Sequence, residues 1–327
     1  MLNGLKKNDA LTLRLCRVEE IMYNQIKSRH NNVQDTISAM IRSGGKRLRP
    51  AFVLLGSDFG SIHTEELYET AAGIEMLHMA TLIHDDIIDE ALIRRGTATA
   101  QSRFGKDYAV FMGDFLLNRS FRLISKGYHS QDALQVMEKI FYGEMLQYNN
   151  RYSRKASIPR YLRIASNKTA SLFAVSLYLG AKISGCDDSL CNTLRKIGFY
   201  YGITFQIIDD ILDFTASEGS VGKSVQNDMK MGFYTLPVIY TALRDGGKTW
   251  ELIDAGEFDQ LSCQIEAMGG IVKTTALASG CLEKARRLIR KLPNNDAKAE
   301  ISDLFNSLNH TLVLSAQTRI SRVSGLS

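Results

Sequence analysis

Met79-Ala80-Thr81-Leu82-Ile83-His84-Asp85-Asp86-Ile87-Ile88-Asp89 ends an apolar run with three aspartates. Far downstream, Phe205-Gln206-Ile207-Ile208-Asp209-Asp210-Ile211-Leu212-Asp213 repeats the pattern. In each word the outer aspartates are four residues apart, so a helix sets them on one face. Like charges at that spacing repel by roughly 0.2–0.5 kcal/mol. Carboxylates in apolar surroundings are costly without a cation. A lone Asp-x-x-x-Asp is commonly a solvated helix face, but two copies led by apolar residues ask for another explanation. Two such clusters facing one another would hold divalent metal, and metal held by aspartate oxygens commonly binds phosphate too.

Working outward, apolar residues recur at three- and four-residue steps. Leu67, Ala71, Ile74, Leu77, Thr81 and Ile88 outline a long helix entering the first word. Leu194, Ile197, Tyr201, Phe205 and Ile208 lead a helix into the second. Leu116, Leu117, Phe121 and Ile124 mark another, as do Val136, Ile140, Met145 and Leu146. No run alternates with the period of a strand. Only 4 prolines occur in 327 residues, which favours long helices and an all-α fold. Glycine-rich turns at Ser43-Gly44-Gly45, Arg95-Gly96 and Asp245-Gly246-Gly247, with Pro293-Asn294-Asn295, separate the helices. Phe214 to Tyr234 reads as a loop beside the second word. No Ser/Pro/Gly linker divides the chain, so residues 1–327 are expected to form a single helical domain.

Composition narrows the function. The net charge is +5, and no dense Lys/Arg tract carries interleaved aromatics, which argues against nucleic acid as a partner. A modest positive balance suits small anionic substrates. The 5 cysteines have irregular spacing and no Cys-x-x-Cys, as expected in a reducing cytoplasm. No uninterrupted apolar run reaches the roughly 18 residues of a membrane helix. A cytoplasmic protein with at most peripheral membrane contact is expected.

Basic groups accompany the acids. Gly44-Gly45-Lys46-Arg47-Leu48-Arg49-Pro50 sets two glycines before three cations, a composition that lets backbone and forked cations approach phosphate oxygens. Arg94-Arg95-Gly96 follows the first word, and Lys168-Thr169 and Gly222-Lys223 add donors. His78, in an apolar stretch, is ordinarily a buried, hydrogen-bonded histidine. His84-Asp85 invites a metal-phosphohydrolase reading, which leaves the second word and the Gly-Gly-Lys cluster unexplained.

Taken together, these segments resemble the trans-isoprenyl diphosphate synthases (polyprenyl synthetases), in the medium- and long-chain type that includes hexaprenyl, heptaprenyl and octaprenyl diphosphate synthases. The matches run from about Gly44 to Pro237. Besides the words above they include Gly-Asp-Phe-Leu-Leu at 113–117, Gly-Glu-Met-Leu-Gln at 143–147, Lys-Thr-Ala at 168–170 and Thr-Leu-Pro at 235–237. The resemblance implies an isoprenoid-synthase-type bundle of long helices around a deep central cavity, normally dimeric. It implies a Mg²⁺-dependent, head-to-tail condensation of isopentenyl diphosphate with an allylic diphosphate. Asp85 and Asp89 would bind two Mg²⁺ and Asp209 a third, with Asp213 nearby. Arg94, Lys168, Thr169, Gln206 and Lys223 would hold the allylic diphosphate; Lys46, Arg49, His78 and Arg95 would hold isopentenyl diphosphate. Asp85, Asp89, Asp209, Lys168 and Arg94 would be the catalytic set. The released diphosphate would take the final proton, which fits the lack of an obvious acid–base pair.

One segment departs from the family pattern. Gly232-Phe233-Tyr234-Thr235-Leu236-Pro237 has Phe233 where the family usually has lysine. Large subunits of two-component synthases also tend to lack that lysine, so a heterodimer with a small partner subunit stands beside a homodimer. Thr81 and Ala80, four and five residues before Asp85, are small where bulky aromatics stop growth early in this family. A product of roughly C30 to C50 is expected, with Leu77 and Ile74 deeper along the wall. The alternative is a short-chain, farnesyl or geranylgeranyl, synthase.

Overall fold

The computed structural model describes residues 9–28, 31–42, 45–94, 96–127, 129–215 and 227–324. Helices dominate, in the order α1 (Asp9–Gln25), α2 (Asn31–Arg42), α3 (Leu48–Ser57), α4 (Glu65–Ile88), α5 (Ala100–Phe104), α6 (Lys106–Ile124), α7 (Ser130–Asn149) and α8 (Ile158–Ala165). A π-helical turn, Ser166–Ala170, leads into α9 (Ser171–Ile183). Then come α10 (Asp188–Thr215), α11 (Asn227–Lys230), α12 (Leu236–Ala242), α13 (Lys248–Asp254), α14 (Phe258–Ala267), α15 (Gly270–Ile289) and α16 (Asp296–Ser324). The all-α expectation holds. One addition is a two-residue antiparallel ladder after α4, pairing Ile93 with Ala98 and Arg94 with Thr97. It is too short to leave a period in the sequence.

The prolines explain the helix lengths. Pro50, Pro159 and Pro237 sit in the first turns of α3, α8 and α12, where a missing N–H costs nothing. Pro293 lies in the turn before α16. None interrupts a helix interior, so α4 and α10 run long, each closing on an acidic word. The loop expected from 214 to 234 is corrected at its ends: Phe214 and Thr215 complete α10 and Asn227–Lys230 is helical, while 216–226 lie outside the described residues. Among the described residues, no helix is long and apolar enough to cross a membrane.

The chain groups into two compact units. The first takes Met1–Val136, Leu172–Gly198 and Leu292–Ile301; the second takes Met137–Ser171, Phe199–Lys291 and Ser302–Ser327. In the first, α4 packs along α6 and against α3 and α1. Leu67, Ala71, Ile74 and Leu77 are buried as the helical period predicts, and Phe52 meets Phe173 edge-on at 5.4 Å. In the second, α12 packs on α15, and Tyr201 meets Phe305 edge-on at 5.3 Å. Ile88, Phe121 and Met145, counted with the apolar stripes of the sequence, are exposed. Periodicity locates a helix but does not say how wide a stripe its neighbours cover.

The first unit is fastened by a buried ion pair whose arginine the sequence had grouped with the phosphate-facing cations Lys46 and Arg49. Arg47, at the N-cap of α3 with φ of 43°, reaches Glu75 on α4 at 3.1 Å and Glu19 on α1 at 2.8 Å. It also donates to the Ile41 carbonyl at 2.5 Å. Burial works against its charge, but the two glutamates outweigh burial and keep the guanidinium protonated. Removing one partner of such a pair strands the other charge. Arg47→Ala or Glu75→Leu is expected to cost about 3–5 kcal/mol in denaturant unfolding, and the double replacement clearly less than the sum of the two.

Candidate active site

At the first word, Asp85 closes the last turn of α4 and Asp89 is its C-cap residue. The helical bond from Asp89 N–H to the Asp85 carbonyl, 2.8 Å, keeps the two outer aspartates on one face, both half-buried. The middle residue, Asp86, is buried and accepts from Arg94 Nε at 2.6 Å. Gln101 donates to the carbonyls of Asp86, at 2.5 Å, and Ala91, at 2.8 Å, while the Thr99 hydroxyl donates to Ala91 at 2.7 Å. These bonds bring the short hairpin back against the end of α4. His84, the residue behind the phosphohydrolase reading, faces α6, with Nε2 3.5 Å from Asp114.

At the second word, Asp209 is exposed, Asp213 is half-buried, and the middle residue is again buried. Asp210 accepts from Tyr161 O–H at 2.5 Å and from Gln206 Nε2 at 3.0 Å. Thr169 Oγ1 donates in turn to Gln206 Oε1 at 2.8 Å. Burial pushes the Asp210 carboxyl up to about 8, with Asp209 and Asp213 adding to the rise and the bonds from Tyr161 and Gln206 opposing it. Burial and the Asp210 charge likewise drive the Tyr161 phenol well above its ordinary value.

Lys168 and Thr169 lie in the π turn. Such turns are rare and cluster at functional sites. Lys168 Nζ donates to Glu144 Oε2 at 2.8 Å and Gln147 Oε1 at 2.9 Å. Gly143 lets the two backbones approach, because a Cβ there would fall 2.8 Å from the backbone nitrogen of Lys168. Thus the Gly-Glu-Met-Leu-Gln segment contributes a backbone gap and two anchors for the lysine.

Lys46 is exposed before α3, Arg49 stacks over Phe173 with its guanidinium carbon 4.5 Å from the ring centre, and His78 is half-buried on α4. Ile74, Leu77 and Ala80 are buried on α4; Thr81 is half-buried, its hydroxyl donating to the His78 carbonyl. Arg95 and Lys223, with Gly44 and Gly222 of their motifs, lie outside the described residues.

Residues 30–259 match the polyprenyl synthetase family. The chain belongs to that family. Over 305 residues it is 35% identical to the heptaprenyl diphosphate synthase component 2 of Geobacillus stearothermophilus, covering 89% of this chain and 93% of that protein. The crystal structure of heptaprenyl diphosphate synthase from Staphylococcus aureus matches with a TM-score of 0.87 at 32% identity, over 91% of this chain and 97% of that one. The polyprenyl synthase of Caulobacter crescentus CB15, complexed with calcium and isoprenyl diphosphate, matches with a TM-score of 0.84 at 27% identity, over 92% and 95%. The fold is the all-α isoprenoid-synthase fold, and the protein is a trans-prenyltransferase.

The donor chemistry suits the hard divalent cations this family uses. Both words offer oxygen alone, from carboxylates. Among the described residues, no three His, Cys, Asp or Glu side chains gather into a ready cage.

Sequence reading missed Tyr161, Gln101 and the Glu144–Gln147 pair. Tyr161 and Gln101 belong to no motif, and Glu144 and Gln147 were quoted only within the 143–147 segment with no role; all act through long-range hydrogen bonds. The raised Asp210 carboxyl has a consequence for stability. Folded Asp210 keeps its proton up to about 8, whereas an unfolded aspartate releases it near 3.8. Ionisation across that window therefore favours unfolding. In EDTA, Asp210→Asn is expected to match wild type near the lower end of the window. It should gain in thermal stability over wild type as pH rises through the window; a constant offset between the two melting curves would contradict the assignment.

Proposed function

We propose that this chain condenses isopentenyl diphosphate with an allylic diphosphate, head to tail, to make a medium- or long-chain polyprenyl diphosphate. The observation that carries the reading is common to both words. In each, the middle aspartate is buried and held by hydrogen bonds, while the outer ones remain at least partly accessible. Asp85 and Asp89, and Asp209 with Asp213, are the groups that would hold Mg²⁺. When bound, Mg²⁺ supplies positive charge to neutralise the departing diphosphate.

The remaining roles follow from placement. Lys168 and Thr169 orient the allylic diphosphate, with Gln206 linking Thr169 to the second word; Arg94 acts from the hairpin held to the first, and Lys223 is assigned by resemblance. Lys168 exchanges Glu144 or Gln147 for a phosphate oxygen, a contact at least as strong. Lys46, Arg49, His78 and Arg95 receive isopentenyl diphosphate. Arginine forks fit phosphate, and stacking on Phe173 fixes the Arg49 plane. The chain works as a single catalytic domain in the cytoplasm; its five cysteines are all unpaired, as a reducing compartment leaves them.

Exposed apolar side chains support a subunit interface. Val110, Phe111 and Phe121 on α6, and Phe141, Met145 and Tyr148 on α7, are all open to solvent. A second reading, a large subunit that needs a small partner, is favoured by Phe233 in place of lysine and by the component 2 relative. Turnover of the purified chain with isopentenyl diphosphate, farnesyl diphosphate and Mg²⁺ separates the two.

Asp85→Ala and Asp209→Ala should each lower kcat by on the order of 10³ or more, and the double variant little further, because groups serving one step are not additive. Near-normal turnover in either single variant would remove the metal-binding assignment. On α4, Ala80→Phe should shift the product distribution, resolved by reverse-phase chromatography, to shorter chains. An unchanged distribution would place the length limit elsewhere.

A further inference from the structure

The second unit contains a cavity of about 350 Å³ that the assigned residues do not line. That volume is at the lower end for small-ligand pockets. Its lining includes the buried Met229 together with half-buried Ile253 and Phe258. One wall is the ring pair Tyr234–Trp250, 5.1 Å between centres. Trp250 is the only tryptophan in the chain.

The facing wall is built rather than incidental. Tyr152 has a left-handed backbone with φ of 57°, a conformation uncommon for a large side chain and enriched at functional sites. Its N–H donates to the Gly232 carbonyl at 3.0 Å, and its ring fills the space a Cβ on Gly232 would need, 2.6 Å away. Arg151 braces it: the guanidinium lies between 5.2 and 5.4 Å from the rings of Phe233, Tyr148 and Tyr152. Its Nε donates to the Met231 carbonyl at 2.8 Å.

The charged side chains of the lining, Arg154, Lys230 and Asp254, are all exposed. Lys230 places its ammonium 5.5 Å over the Phe258 ring, and Arg154 pairs with Asp254 in the open. The three charges sum to one positive. An exposed ion pair is held weakly, so the Arg154 fork is available to a better acceptor. Apolar and ring side chains beside exposed groups of net positive charge suit an acidic head carrying an apolar tail.

We propose that this cavity is a second binding site, for a small phosphate- or diphosphate-headed amphiphile. Two sources share that chemistry: a prenyl diphosphate free in solution and the headgroup of an acidic phospholipid. Trp250 reports directly on occupancy. The probe is decyl phosphate below its micelle concentration, in EDTA and without isopentenyl diphosphate, so the result does not depend on prenyl transfer. A parallel arm uses phosphatidic acid vesicles against phosphatidylcholine vesicles.

The expected result is a saturable change in tryptophan emission. Lys230→Gln and Tyr152→Gly should each weaken it roughly tenfold, the loss of one good contact. Glycine suits the left-handed backbone, so Tyr152→Gly removes the wall without stressing the fold, and circular dichroism checks both variants. A response to decyl phosphate supports a free amphiphile; a response to phosphatidic acid vesicles alone supports the lipid headgroup as the source. A change that never saturates, or one that saturates identically in all three proteins, overturns the site. Prenyl transfer should persist in both variants, and its loss in wild type would bear on the proposed function alone.

Discussion

Three carboxylates crowded onto the end of an apolar helix must be compensated, and most of what is distinctive here follows from how that is done. The two words use different means. At the first, buried Asp86 meets a fixed positive charge, Arg94, delivered by a hairpin that Gln101 and Thr99 tie back to the helix end. At the second, buried Asp210 meets two neutral donors, Tyr161 and Gln206, and holds its own proton to about 8. One cluster is stabilised by a permanent cation and the other by a removable proton. A cation held beside the second word, as proposed, would compete with that proton, whereas one beside the first would meet nothing titratable on Arg94.

Much of this was legible from the chain alone. The four-residue spacing of acids, the helical period leading into them and the scarcity of proline gave α4, α10 and the all-α class. Those signals are local, so they survive without coordinates. Arg47 was not legible, because Lys46-Arg47-Arg49 looks uniform and only the approach of Glu19 and Glu75 separates the buried member from its neighbours. The exposure of Phe121, Met145 and Ile88 was hidden for the same reason: it depends on what covers a helix. The π turn at Ser166–Ala170 has no pattern of its own, since one extra residue in a helical ladder changes no residue type.

Phe233 illustrates how a substitution is absorbed. A ring replaces the usual lysine, and the guanidinium of Arg151 comes to rest 5.2 Å above it. The same guanidinium is braced by Tyr148 and Tyr152, so positive charge is still present beside this segment, borne by a different element. That charge is borne by Arg151 in the turn after α7 and not by the segment that leads into α12.

The π turn also sets a rule for how this sequence can drift. It is an α-helix carrying one surplus residue, and each residue of an α-helix advances by about 100°. Deleting one position between 166 and 170 would turn the ladder into ordinary helix. It would also rotate one flank of the helix by that angle against the other, carrying Lys168 and Thr169 away from Glu144 and Gln206. A one-residue deletion there would therefore uncouple Lys168 and Thr169 from the side chains that hold them, and turn the buried face of the flanking helix with them.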